Sequence, residues 1–363
     1  MLQLSRRQYI AMGSAAFMAA VLASRRSVWA VDEMAPGMTR GVVLYPFDLT
    51  LADWPARAAK AGINTIALHA AKRLDVLADY IQCDSGLKFL EDCKNHGIAV
   101  EFELHAMGEL LSRELYHKDP TLFRKDERGN RNGDANCNPF STTALDIIAE
   151  KAVKYAKIFA PTTGRYFFWP DDGANWDCSS QAEGMNASEQ ALLVENHIIK
   201  ALRKHIDPNA TLSHISYSAT LAAPTQVNPE PGMFLEFAPI QRDFSKSIAN
   251  RDARTKRTHD GSPDPAFNGG YLDILQANMK LFGANTTQVL EYWLDVSLFS
   301  SWTKPSVKLP WNEDICRSDV AAYRQLGVKH ITTFAANIDA DYVDRHGDPQ
   351  EVLNAYGRIL GAQ

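Results

Sequence analysis

The chain has 363 residues, 45% of them hydrophobic and 22% charged, with a formal net charge of -5. A mildly acidic chain lacks the basic footprint that phosphate neutralisation needs, so nucleic acid is excluded as the expected partner. Its cysteines, Cys83, Cys93, Cys137, Cys178 and Cys316, show no Cys-x-x-Cys spacing. No zinc or other metal site, and no cofactor, is expected from such a pattern.

Ser5-Arg6-Arg7-Gln8-Tyr9 opens an Ala-rich apolar run that reaches Ala23, and Arg25-Arg26 leads to Val28-Trp29-Ala30. Residues 1–30 read as a twin-arginine export signal with a small-residue cleavage site. The run of roughly 14 residues is shorter than the ~20 a membrane span needs, so no stable membrane insertion is expected after cleavage. Tat export implies a periplasmic or secreted protein. The signal carries four arginines and no acid, and its removal takes the formal charge from -5 to -9. The basic run Arg251–His259 is read as a solvated loop.

Beyond residue 30 the chain alternates strand-like and helix-like segments. Gly41–Asp48 reads as a first strand, followed by a helix over Ala52–Ala61 that Gly62 ends. Ile63–His69 is a second strand, Leu74–His96 a helical stretch and Ile98–His105 a third strand. A turn-rich connection from Lys118 to Ser141 precedes a helix over Thr143–Phe159. Arg165–Trp169 is the fourth strand, because consecutive aromatics favour a packed pleat. Pro170 and Gly173 then turn the chain at Asp171-Asp172.

Ser188 is the expected cap of the next helix, whose apolar positions recur at helical spacing. Leu212–Tyr217 and Met233–Pro239 are the fifth and sixth strands, and the Pro-rich link between them is too broken for a full helix. Gly270–Phe282 is a helix, Gln288–Asp295 the seventh strand, Asp314–Leu326 a helix and Lys329–Asn337 the eighth strand. The last helix opens at Asp348-Pro349 with Glu351 and closes at Gly361. Eight strands alternating with helices predict a single-domain (β/α)8 TIM barrel over residues 31–363. A doubly wound open sheet is the runner-up, but no Gly-rich phosphate loop follows the first strand.

In such a barrel, polar residues at the carboxyl ends of the strands are the candidates for chemistry. Tyr45, His69, His105, Asp171, Asp172, Glu236, Glu291, Tyr292, Trp293 and Asp295 occupy those positions. Strand periodicity places Glu101, Glu103 and His105 on one face, and Glu291, Trp293 and Asp295 on another. Carboxylates on several strands beside aromatic rings fit glycoside hydrolysis, in which one acid protonates the leaving oxygen and a second acts as nucleophile or base. Adjacent carboxylates raise one another's pKa, so Asp171 would help Asp172 hold a proton as the general acid. Glu291 is the expected counterpart, with Glu236 in reserve. Trp169, Trp176 and Trp293 are expected to stack on sugar, and Arg242 to bind a carboxylate or hydroxyls. Cys137 and Cys178 fall in loops on one face and are candidates for a disulfide.

The motifs Asn136-Cys137-Asn138-Pro139, Trp169-Pro-Asp-Asp-Gly173 with Trp176 and Cys178, Phe234–Pro239 followed by Arg242, and Glu291-Tyr-Trp-Leu-Asp295 resemble a bacterial domain-of-unknown-function family. That family is grouped with glycoside hydrolase TIM barrels and is similar to α-glucuronidases and β-hexosaminidases. The resemblance covers most of the chain after residue 30 and implies a carbohydrate substrate. Where the hexosaminidases carry an Asp-Glu pair after the fourth strand, this chain carries Asp171-Asp172. Two other readings stand beside glycoside hydrolysis. One is a metal-dependent sugar isomerase or epimerase holding a cation with Glu103, His105, Glu236 and Asp295. The other is a non-catalytic glycan-binding barrel.

Overall fold

A computed structural model describes residues 37–71, 73–255 and 265–362. The expected export signal and part of the basic run, residues 256–259, lie outside the described residues. Eight strands, β1 (Arg40–Leu44), β2 (Thr65–Ala70), β3 (Ala99–His105), β4 (Arg165–Trp169), β5 (Thr211–Ser216), β6 (Met233–Phe237), β7 (Gln288–Glu291) and β8 (His330–Phe334), form the sheet. Each pairs in parallel with the next, and β8 pairs back onto β1, so the barrel is closed.

Alternation along these strands decides what enters the barrel. Val43, Ala67, Phe167, Trp169, Ile215, Phe234, Leu290 and Phe334 pack together inside it. Near the amino-terminal end the Arg165 guanidinium lies 4.4 Å from the Phe234 ring centre and 3.5 Å from Glu101. Such contacts desolvate a cation at tolerable cost, because the ring face and a carboxylate both stabilise it.

The helices form where the pattern places them, with differences at their ends. Helix α1 (Trp54–Ala61) stops at Gly62, whose φ of 79° suits glycine. The stretch read as one helix from Leu74 is two, α2 (Leu74–Gln82) and α3 (Asp84–Asn95), because Cys83 is extended between them. Gly86 permits the sharp corner, since a Cβ there would meet the Tyr80 carbonyl. Helix α4 (Thr142–Ile158) is capped by Ser141, which accepts from Ala144 N–H.

Helix α5 (Ala187–His205) is capped by Asn186 in a reciprocal box with Glu189, not by Ser188. The Ser188 hydroxyl instead donates to the Thr220 and Ala222 carbonyls at 2.5 Å. Glu189 also accepts from the N–H groups of Thr225 and Gln226, at 2.8 and 2.6 Å. These bonds pin the Pro-rich link between β5 and β6 to the start of α5. They stand in for the crossover helix, which is reduced to a short 3-10 turn over Ser218–Thr220.

Helix α6 (Asn268–Phe282) precedes β7, and a short helix α7 (Val296–Phe299) follows it. Then come α8 (Glu313–Gln325), α9 (Ala340–His346) and α10 (Gln350–Gly361). The last differs from expectation by one position, with Pro349 at the cap and Asp348 accepting from Gln350 N–H at 2.8 Å. Helix α10 packs on α1 through Gly357, where a Cβ would fall on the Ala61 carbonyl oxygen. Gly357→Ala forces two backbones apart, and overpacking of this kind typically costs about 1–3 kcal/mol. A thermal unfolding scan should show a lowered Tm for Gly357→Ala, whereas Gly361→Ala, with open space around it, should leave Tm nearly unchanged.

Candidate active site

The strand alternation that fills the barrel also builds a pocket at the carboxyl ends of its strands. The pocket encloses about 120 Å³. Trp169, Leu290 and Phe334 line its depth, and Tyr45, His69, His105, Tyr217 and Tyr292 its walls. Its two carboxylates are Asp172 and Asp295.

Asp172 follows β4 after Pro170 and Asp171 and is half exposed. Its Oδ1 accepts from the Tyr217 hydroxyl at 3.0 Å and lies 3.8 Å from His105 Nε2. His105 Nδ1 is 2.6 Å from the Pro170 carbonyl, so that nitrogen carries the proton and Nε2 faces the acid. One strand end thereby holds both the carboxylate and the carbonyl that orients its neighbour.

Asp295 is far less exposed, at 4%. The chain leaves β7 at Glu291, turns through a bond from Asp295 N–H to the Tyr292 carbonyl at 3.1 Å, and enters α7 with Asp295 as its cap. Asp295 Oδ1 accepts from the Ser297 hydroxyl at 2.6 Å and from Leu298 N–H at 3.1 Å. Burial outweighs these bonds and pushes the carboxyl up to about 6.

The remaining walls are neutral hydrogen-bonding groups. His69 Nδ1 is 2.7 Å from the Glu103 carbonyl, and burial, then the neighbouring His105, lowers its pKa to about 3. Neutral His69 therefore presents an unprotonated Nε2. Burial raises the Tyr45 and Tyr292 hydroxyls, and the charges of Asp172 and Asp295 add to the effect on both, so each remains a donor. Tyr45 is held from behind by Asp48, which accepts from Tyr45 N–H and from Asn337 N–H, both at 2.8 Å. That pair of bonds ties the end of β1 to the end of β8.

Six residues singled out from the sequence as site candidates, Tyr45, His69, His105, Asp172, Tyr292 and Asp295, are thus brought to one pocket, and Trp169 lies beneath them. Others are not. Glu291 and Trp293 point away from the barrel axis, because Leu290 and Tyr292 take the inward positions. Glu291 meets Arg242 Nε at 3.2 Å and the Tyr323 hydroxyl at 2.5 Å, while Arg242 also bonds Asp319 at 2.6 Å. Trp293 donates to that same Asp319 at 2.9 Å. Glu291, Arg242 and Trp293 are therefore parts of a wholly enclosed ion cluster between sheet and helices, not of the sugar site expected of them. Burial, moderated by Arg242, sets Glu291 at about 7.

Asp171 is a fastener. It is paired with Arg113, accepts from Asn136 N–H at 2.6 Å, and its own N–H donates to Asn136 Oδ1 at 2.9 Å. This staples the long connection after β3 to the end of β4. Trp176 is buried and lines a neighbouring cavity with Pro170 and Ser218. Trp169 is also almost fully enclosed and donates to Glu236 at 2.9 Å, so its edge floors the pocket. Cys137 and Cys178 are free thiols, the first buried and the second exposed.

Glu236 lies inside the barrel, where Gln288 Nε2 donates to it at 2.9 Å and to Glu103 at 3.2 Å. His105 and Asp295 stand above that chain, so the four residues considered for a cation are not brought together. Among the described residues, no group of three or more His, Cys, Asp or Glu is placed to hold a metal ion. Tyr217, at the end of the expected fifth strand, and Ser297, Ile240 and Trp302, not singled out from the sequence, also line the pocket. Only an exposed-looking aromatic after the seventh strand, in Ser300-Ser301-Trp302, signals the last of these.

No protein-family model matches the sequence, and no curated protein matches it. Solved structures do. A family 42 β-galactosidase, Gan42B, superposes with a TM-score of 0.51 at 12% identity, covering 89% of this chain and 56% of its own. A glycoside hydrolase family 5 enzyme from Prevotella bryantii gives 0.48 at 12% identity, covering 91% and 98%. The β-amylase catalytic domain from Paenibacillus polymyxa gives 0.49 at 11%, covering 89% and 98%. The chain spans about half the length of the β-galactosidase structures it matches, 54% and 56%. The likeness is one of fold, a closed (β/α)8 barrel.

Two stability predictions follow from the buried charges. Arg242→Met leaves Glu291 and Asp319 buried without their cation and should cost about 3–5 kcal/mol in denaturant unfolding. Burial raises both Glu103 and Glu236, and for Glu103 the charges of Glu236 and Glu101 add to it. A carboxyl raised in the folded state binds its proton more tightly there, so its stabilisation is full below the ordinary carboxylate range and lost as pH rises through the folded value. Tm should therefore fall between about pH 5 and about pH 9, and the neutral Glu103→Gln should flatten that fall.

Proposed function

We propose that this chain is a glycoside hydrolase in which Asp295 is the proton donor and Asp172 the second carboxylate. The observation that carries the reading is the unequal setting of two acids in one pocket. Asp295 is enclosed and raised to about 6, whereas Asp172 is half exposed beside Tyr217 and His105. An enclosed carboxyl that keeps its proton, set beside a solvent-exposed one, divides acid from base. Burial thus moves the acid's role from Asp172, where the sequence put it, to Asp295.

In the reaction, protonated Asp295 gives its proton to the glycosidic oxygen as the bond from that oxygen to the anomeric carbon breaks and the alcohol leaves. Positive charge develops on the sugar ring, and the Asp172 carboxylate stabilises it or takes a proton from the attacking water. His69 Nε2 accepts from a sugar hydroxyl, and Tyr45 and Tyr292 donate to others. Trp169, Leu290 and Phe334 exclude water beneath the ring. The expected export signal adds a working place outside the cytoplasm, where oligosaccharides from the surroundings are met.

The test is hydrolysis of a panel of aryl glycosides and oligosaccharides by the full-length chain, Asp295→Asn and Asp172→Asn. Loss of general acid catalysis should lower kcat by about 10²–10⁴-fold in Asp295→Asn, and Asp172→Asn should be impaired as severely. Because Asp295 must be protonated, wild-type activity should decline as pH rises through about 6. Sugar binding without turnover, unchanged in Asp295→Asn, would replace the enzyme with a glycan-binding barrel.

A further inference from the structure

Trp302 stands at the mouth of the pocket with 68% of its surface exposed, more than any other large hydrophobic side chain among the described residues. Burying such a ring removes about 150–250 Å² from water, and the fold forgoes most of that gain here. The backbone beneath the ring is also costly. Ser301 and Trp302 have φ of 52° and 56°, two successive residues in the left-handed region. Such a conformation is costly for a non-glycine residue and persists only where its surroundings over-determine it.

Those surroundings are the segment that carries Asp295. Trp302 N–H donates to the Ser297 carbonyl at 2.7 Å, and Ser301 N–H to the Leu298 carbonyl at 3.1 Å. Ser297 in turn donates to Asp295. One short stretch therefore buries an acid in the pocket and holds an aromatic face open above it.

The chemistry of the pocket selects what could lie on that face. Its lining has two carboxylates and neither Lys nor Arg, so an acidic sugar would meet like charge. Arg242, expected from the sequence to bind a carboxylate or hydroxyls, is enclosed in the ion cluster. A neutral pyranose offers C–H faces to an aromatic ring and hydroxyls to His69, Tyr45 and Tyr292. The enclosed volume of about 120 Å³ is well under the ~300 Å³ at which ligand pockets usually begin, so a longer glycan must extend past the mouth.

We propose that Trp302 is the platform of an outer subsite, stacking the second ring of a neutral di- or oligosaccharide whose first ring occupies the pocket. The proposal names the substrate class of the site described above and rests on that site being one for sugar. To test it, the full-length chain, Trp302→Ala and Trp302→Phe are titrated with lactose, cellobiose, mannobiose and maltose and with their monosaccharides. Tryptophan emission and its quenching by acrylamide report binding.

At least one disaccharide should shield tryptophan and bind about tenfold more tightly than its monosaccharide. Trp302→Ala, followed by isothermal titration calorimetry because it lacks the reporting ring, should bind disaccharide no more tightly than monosaccharide while its circular dichroism spectrum stays as in the wild type, and Trp302→Phe should keep part of the advantage. An unchanged disaccharide preference in Trp302→Ala overturns the proposal, as does failure of every disaccharide to shield tryptophan. Aryl monoglycosides, which need no outer ring, separate this from the proposed activity. Their hydrolysis without Trp302-dependent disaccharide binding leaves an enzyme lacking the subsite, and Trp302-dependent binding without hydrolysis leaves the platform on a non-catalytic barrel.

Discussion

Closure of eight parallel strands gives every strand residue one of two destinations, the barrel axis or the layer between sheet and helices. In β3 this sends Glu101, Glu103 and His105 inward, while Val100, Phe102 and Leu104 face the helices, with Phe102 against Phe159. In β7 it sends Gln288, Leu290 and Tyr292 inward and Glu291 outward. Carboxylates that look alike in sequence therefore end in different media. Glu291 becomes the partner of an enclosed arginine, Glu103 part of a polar chain within the barrel, and Asp295, past the strand end, a member of the pocket.

The polar chain inside the barrel sets the floor on which the pocket stands. Glu103, Gln288, Glu236 and Trp169 are linked in sequence by hydrogen bonds, and Trp169 also donates to Ser213 at 3.1 Å. A barrel filled only with branched apolar groups would pack more simply, but it would not fix the plane of an indole. Here both the ring and its N–H are held, so the pocket's depth is rigid without any loop contributing to it. The cost is visible in oxygen atoms of Glu101 and Glu103 that are buried without a partner.

Above that floor the site depends on loops tied to strand ends. Asp48 joins the ends of β1 and β8 behind Tyr45, the Asp171–Asn136 pair joins the long connection after β3 to the end of β4 beside Asp172, and Glu189 gathers the link after β5. Each tie uses an acidic side chain to accept backbone N–H groups where a segment has no regular partner. Asp171, an acid that looked catalytic, is of this kind. The short helix after β7 unites both uses, since Asp295 caps it through Oδ1 and also lines the pocket.

Much of the fold was legible in the sequence. Alternating strand and helix signals, glycine stops such as Gly62, and the Pro-rich break after β5 specified a closed barrel with one irregular crossover, because each is a local property of backbone and side chain. The candidates on β1 to β3, Tyr45, His69 and His105, were legible for the same reason. What the sequence could not decide was where a strand ends and what lies across from a side chain. Reading β7 through to Asp295 put Glu291, Trp293 and Asp295 on one face, whereas a turn at Tyr292 separates them. Arg242 was read as a ligand because its partners, Glu291 and Asp319, are 49 and 77 residues away in sequence. Local pattern determined the barrel; only the packing of distant segments decided which acids are paired and which stand open in the pocket, since burial and charge pairing are properties of the assembled fold.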